Sequence, residues 1–206
     1  MAFVFSYAFI AGVLGIATLF EKTKMFNDEG TRKFIHIAVA HWFILAIIIF
    51  DNALLASIVP FSFIILNYLS YRYNLVSAME RDTHNREDLG TVYYAVSLTI
   101  ITFIAFQFSY KIEGLFAILA MGYGDGFGAV IGKRFGKTTV YSKKTYIGSA
   151  AMLFFTLIIG YILFPQRLLL VPLIALSATL LEIFTLEGYD NLSVPLFIFL
   201  LSVVIL

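Results

Sequence analysis

An all-α bundle of seven or eight membrane-spanning helices is the fold this sequence predicts, on three observations. The chain is 61% hydrophobic and 13% charged, with a mean hydropathy of +0.92, which leaves too little polar surface for a water-soluble domain. Its apolar residues fall in long runs; at about 1.5 Å of helix rise per residue, a run of roughly 17–19 residues covers roughly 26–29 Å, close to the hydrocarbon thickness of a bilayer. The charges lie between those runs, in connections that alternate between short and long.

Taken in order, the apolar runs are Ala2–Phe20, Phe34–Phe50, Ala53–Tyr71, Val92–Phe108, Gly114–Gly132, Ile147–Phe164 and Leu168–Thr185. An eighth, Val194–Leu206, is shorter and is either a span starting nearer Leu192 or a half-span. The first run has no basic residues before it and is too long for a signal-peptide core, so it reads as a retained span. Asn67, inside the third run, reads as an interhelical hydrogen bond, and His41 and Trp42 as packing. No repeat, low-complexity tract or linker interrupts the sequence, so residues 1–206 are taken as a single domain.

Charge sets the expected orientation. The long connections Glu21–Lys33, Arg72–Thr91, Lys133–Tyr146 and Leu186–Ser193 carry twelve Lys and Arg residues; the short ones carry only Lys111 and Arg167. That bias places the long connections in the cytoplasm of an integral membrane protein, with a prokaryotic plasma membrane the expected location. Glu21–Lys33 and Arg72–Thr91 each have room for a short amphipathic helix on the headgroup layer. A net charge of +1 gives no reason to expect a nucleic-acid partner. The absence of cysteine removes disulfides, thiolate metal sites and cysteine nucleophiles.

With this topology the polar residues gather at one interface. Arg32, Lys33 and His36 open the second span, Asp88 precedes the fourth, and Asp125 lies in the cytoplasmic half of the fifth. Lys143, Lys144, Gly148 and Ser149 lead into the sixth; Glu182 ends the seventh, and Glu187, Asp190 and Asn191 follow it. A carboxylate within a span costs roughly 2.5–3.5 kcal/mol to insert, so Asp125 and Glu182 face protein, water or a metal rather than lipid. Mixed cations and carboxylates suit a polyanion with its divalent ion: cations neutralise phosphate oxygens and carboxylates hold Mg²⁺.

Gly124, Gly128, Gly132 and Gly136 recur every four residues, a spacing that packs transmembrane helices. Gly122 and Gly126 add a second rhythm around Asp125, which predicts a loosened backbone with N–H groups turned toward an anion. Gly148 and Ser149, at the start of a helix, offer N–H groups to phosphate. Lys133, Arg134 and Lys137 serve equally as a topology signal beside anionic lipid, and Asp190-Asn191 equally as an Asx turn.

These residues resemble a known family. Asp125, Gly132 and Gly136, followed by KKTYIGS (Lys143–Ser149), are similar to the nucleotide motif of the CTP-dependent lipid-alcohol kinases. That family includes phytol, farnesol and dolichol kinases and a CTP-dependent diacylglycerol kinase. RKFIHI (Arg32–Ile37), LGTVYY (Leu89–Tyr94), Glu182 and DNLSVPL (Asp190–Leu196) resemble its other markers in the expected order. Ile147 stands where dolichol-kinase-like members have an acid, so the motif is more similar to the phytol and farnesol branch. The paired late aspartates of the phosphatidate cytidylyltransferases are absent.

The resemblance implies transfer of the γ-phosphoryl of CTP to the hydroxyl of a lipid alcohol, such as phytol, farnesol, a longer polyprenol or diacylglycerol. It implies Mg²⁺ on Asp125, with Glu182 or Asp190, and Lys143 and Lys144 against the developing charge. Gly124, Gly126, Gly128, Gly132, Gly136, Gly148 and Ser149, with Arg134 and Arg32, would line the nucleotide, and Asp190 or His36 would be the base. Two alternatives are a cytidylyltransferase-like enzyme that uses CTP and a small cation-coupled transporter. The transporter predicts acids spread through the membrane depth and paired halves, neither of which this sequence has.

Overall fold

The computed structural model describes residues 1–73 and 89–206. Asp88, Arg81 and Arg86 lie outside the described residues, as does most of the expected Arg72–Thr91 connection. The elements, in chain order, are α1 (Ala2–Lys22), α2 (Asp28–Ala40), α3 (Trp42–Ile49), α4 (Ala53–Tyr73), α5 (Gly90–Gln107), α6 (Lys111–Phe135), β1 (Thr139–Tyr141), β2 (Lys144–Thr145), α7 (Tyr146–Leu163), α8 (Leu170–Phe184) and α9 (Asp190–Ile205). Helices α2 and α3 run on through His41 as one 22-residue span. All eight expected spans are therefore helical, within a helical integral membrane protein. Among the described residues, six helices are long and apolar enough to cross a membrane; α8 and α9, with 15 and 16 residues, are shorter apolar helices.

Two elements depart from the sequence reading. The charged stretch before the second span is not a separate surface helix. Asn27 accepts a hydrogen bond from the Gly30 N–H at 2.8 Å, Asp28 and Glu29 fill the first turn, and the span continues from there. This is the N-cap arrangement expected where a polar side chain and early acids meet the free N–H groups of a helix. As a result, Arg32 and Lys33 are buried in the bundle. The connection between α6 and α7 is also not plain loop: β1 and β2 form a short antiparallel hairpin that turns at Ser142, which has a left-handed φ of 49°.

Trp42, Phe43, Phe116, Met121, Met152 and Phe199 are fully enclosed between the helices, while Ile48, Leu54, Ile162, Leu200 and Val204 stand out from the bundle as a lipid-facing surface. Lipid solvates apolar side chains as well as protein does, so close packing and interhelical hydrogen bonds must hold the helices together. Asn67 supplies one such bond, its side-chain amide donating to the Thr91 carbonyl at 3.0 Å and tying α4 to α5. Pro195 leads to another. It has no N–H to give to the Asn191 carbonyl four residues back, and the Ser97 hydroxyl donates to that carbonyl instead at 2.8 Å, pinning the start of α9 to α5. His41 does more than pack: its Nε2 lies 3.0 Å from the Tyr123 hydroxyl on α6.

Candidate active site at one end of the bundle

Helix α6 carries the central acid, and its glycines determine what surrounds it. At about 100° per residue, Gly122 and Gly126 fall on one face of the helix and Gly124, Gly128 and Gly132 on another, with Asp125 on the arc between. A Cβ on Gly122 would meet Ala40 Cβ at 2.6 Å, and one on Gly126 would meet Ile37 Cγ1 at 2.6 Å, so that face seats α2. On the other face, Gly124 fits against the Met152 sulfur, Gly128 against the Gly148 carbonyl and Gly132 against Thr145 Oγ1, so this face seats α7 and β2. Asp125 therefore points into the wedge between α2 and α7. The loosened backbone expected here is absent, because α6 is regular helix from Lys111 to Phe135 and both glycine rhythms are used for close approach. Gly136 ends the helix, pressed against Gly132 and Thr145.

On the α2 side, Lys33 donates to Asp125, and both side chains are buried. His36 Nε2 lies 3.7 Å from Asp125 Oδ2, and its ring packs 4.0 Å from the Tyr94 ring on α5. Lys33, His36, Ile37 and Ala40 follow i, i+3, i+4, i+7 spacing and form the α2 face toward α6. That spacing is legible in the sequence and singles out Lys33, to which the motif resemblance gives no role. Its neighbour Arg32 turns away to Glu29, at 2.8 Å.

On the other side, Lys144 donates to Asp190 Oδ2 at 2.8 Å and to Glu182 Oε1, joining β2 to the end of α8 and the start of α9. Burial works against the charge on Lys144, but Asp190, Glu182 and Asp125 outweigh it and raise its pKa above the ordinary lysine value. Asp125 is among the charges that bear on Lys144, so the two groups lie within electrostatic reach of each other. Lys143 is not part of it. Successive strand residues point to opposite faces, and at the hairpin tip Lys143 is 80% exposed, paired with Glu187 at 3.2 Å. Arg134 is also exposed, stacked on Phe135 with 5.3 Å to the ring centroid.

The start of α7 is capped from within. Thr145 Oγ1 accepts from the Gly148 N–H at 3.1 Å, so that N–H is already used, contrary to the expectation that it is offered to phosphate. Ser149 Oγ is buried with no hydrogen-bond partner and remains a free donor. Asp190 also accepts from the Asn191 N–H at 3.0 Å, so it makes a local turn contact as well as the lysine pair.

Three carboxylates and two lysines thus meet at one end of the bundle, which leaves a negative excess. Among the described residues, no three His, Asp or Glu side chains form a ready-made metal cage, so Asp125, Glu182 and Asp190 are not a preformed three-ligand site. The residues do fit a divalent ion that arrives with its own oxygen ligands. Glu182 Oε2 is buried without a partner, Asp190 shares Lys144 with Glu182, and Mg²⁺ typically takes one or two carboxylates with substrate phosphates and water.

The chain is similar to known kinases along most of its length. A phytol kinase of Synechocystis sp. is 25% identical over 198 residues, covering 91% of this chain and 84% of that protein. A probable chloroplastic phytol kinase of Triticum aestivum is 29% identical, covering 90% of this chain and 71% of that protein. Probable phytol kinase 1 of Oryza sativa subsp. japonica is 30% identical, covering 84% of this chain and 63% of its own. No family model and no solved structure matches the chain. The resemblance to the lipid-alcohol kinases, drawn first from short motifs, holds over about nine-tenths of the chain, and the phytol kinases are its relatives.

Proposed function

We propose that this relative of the phytol kinases transfers the γ-phosphoryl group of CTP to the hydroxyl of an isoprenoid lipid alcohol of the phytol class, at the cytoplasmic interface. The observation that carries the reading is the convergence, from five separate elements, of two ion-pair groups at one end of the bundle: Lys33 with Asp125, and Lys144 with Glu182 and Asp190. Buried charges are costly even when paired, and simple anchoring requires none.

Lys144 would swing its ammonium from the carboxylates to the phosphate oxygens, with the Ser149 hydroxyl beside it. Asp125, with Glu182 or Asp190, would hold Mg²⁺, which would offset charge on the phosphates. The acceptor oxygen bonds to the γ-phosphorus as the bond from that phosphorus to its bridging oxygen breaks. The electron pair departs on the nucleoside diphosphate, and the hydroxyl proton passes to His36 Nε2. Positioning and charge stabilisation suffice for such a loose transition state, so the base contributes least. His36 suits that role better than Asp190, which Lys144 already engages. The transporter alternative fits poorly, because the buried acids sit together at one end and do not mark a path through the bundle.

The test is a reconstituted transfer assay with Mg²⁺, labelled CTP or ATP, and phytol, farnesol, a longer polyprenol or diacylglycerol. Labelled phytyl phosphate is expected with CTP, and Asp125→Asn should abolish it in a folded protein. Equal turnover by that variant would overturn the proposed site, and absence of lipid phosphate with every donor and acceptor would overturn the activity.

A further inference from the structure

The polar cluster borders a cavity that the phosphate chemistry above does not use. The cavity lies between α1, α2, α4 and α5, and Ile10, Leu14, Val39, Val59, Phe63 and Leu98 give it a largely apolar lining, with Asn67 and Thr91 also on its wall. At one end it is lined by Lys33, His36, Tyr94 and Asn191. Three buried polar atoms on those residues have no hydrogen-bond partner: His36 Nε2, the Tyr94 hydroxyl and Asn191 Oδ1. An unpaired buried polar group costs about 1–3 kcal/mol, so three such atoms on one cavity point to a ligand group that both donates and accepts.

We infer that this cavity is the acceptor site, with the hydrocarbon tail between α1, α2, α4 and α5 and its hydroxyl held by His36, Tyr94 and Asn191. The inference rests on the kinase reading and says where the alcohol binds. A hydroxyl matches two of the three orphans at once, because it donates once, to His36 Nε2 or Asn191 Oδ1, and accepts from Tyr94. Its oxygen then lies beside the Lys33–Asp125 pair, on the α2 side of Asp125, while Lys144 and the phosphate groups lie on the α7 side. An attacking oxygen and a leaving group on opposite sides of the transferred phosphorus is the arrangement that in-line displacement needs. The Trp42 indole N–H, also without a partner, lies about 9 Å further along the helix from His36 and is too distant to share that hydroxyl. Ile10, Val59 and Leu98 are well suited to a methyl-branched chain, which presents no polar group to them.

Photolabelling tests this without requiring turnover. The reconstituted protein is irradiated with a radiolabelled isoprenoid alcohol carrying a diazirine in its tail, with and without excess phytol, and the adducts are mapped by mass spectrometry. Adducts on the α1, α2, α4 and α5 residues of the cavity, lost when phytol is added, are expected. Adducts confined to α7 or α8, or adducts that phytol does not displace, would overturn the assignment. In the transfer assay, Val59→Trp and Leu98→Trp should each raise the KM for phytol at least tenfold and leave the KM for CTP within twofold. Unchanged phytol KM in both would also overturn it. Labelling on the cavity in a protein that phosphorylates nothing would refute the kinase reading alone, and transfer with labels elsewhere would refute the cavity alone.

Discussion

Replacing Lys144 with Met, which has similar bulk and no charge, separates the two things the lysine does. At 2.8 Å from Asp190, and with a side chain only 22% exposed, its gross attraction to that carboxylate is about 6 kcal/mol at an effective dielectric of about 20. Glu182 adds a second attraction, and desolvation of all three groups offsets much of the sum. Removing one member of such a buried set leaves the others uncompensated and typically costs about 3–5 kcal/mol. For a chain of this size that corresponds to a fall of roughly 6–20 °C in Tm, readable by thermal unfolding in detergent. Transfer activity should fall at least a hundredfold, the scale on which preorganised charge at a transition state acts. Adding Glu182→Gln to Lys144→Met removes one stranded charge and should return more than half of the lost Tm without restoring activity. A double variant that regained both would show Lys144 to be a counter-charge only, and the catalytic reasoning would fail.

The pairing of Lys144 also fixes a pH dependence. Its pKa is raised on folding, so the stability it contributes is fully present below the unfolded value of about 10.4 and is lost as pH rises through the folded value. The Tm difference between wild type and Lys144→Met should therefore stay constant from pH 7 to about 9.5 and narrow only above about 10.4; narrowing near neutrality would contradict the assignment. Gly148→Ala places a Cβ 2.8 Å from the backbone carbonyl of Gly128, and neither helix can yield locally. A cost of about 1–3 kcal/mol and at least tenfold loss of transfer are expected as α7 shifts and carries Lys144 with it, whereas unaltered kinetics would mean that the α6–α7 contact does not position the site. Lys143→Ala should leave the KM for nucleotide within threefold, and a loss comparable to Lys144→Met would put both lysines on the phosphates. EDTA should stop transfer without lowering the Tm of the nucleotide-free protein, since no three-ligand cage exists among the described residues; a drop in Tm would reveal a resident structural ion.

What the sequence disclosed, and what it hid, follows from the range over which each signal acts. The spans were legible because hydropathy over roughly 17–19 residues is a local property that lipid enforces directly. That the polar residues share one end followed in turn from counting spans. The lysine pair splits in the fold: adjacency in sequence is not adjacency in space, and a two-residue hairpin turn sends Lys143 to solvent and Lys144 inward. The glycines were half legible. Their four-residue spacing announced close packing, but only the partners Ala40, Ile37, Met152 and Gly148 reveal two stripes seating two different helices. The same packing answers why an acid can be tolerated there at all. With no side chain on either flank of Asp125, α2 and α7 approach closely enough for Lys33 to reach the carboxylate and for the charge of Lys144 to bear on it. The glycines thus belong to the site as much as the charged groups do, although on this structure none of the five that form the two stripes around Asp125 need touch a nucleotide to matter.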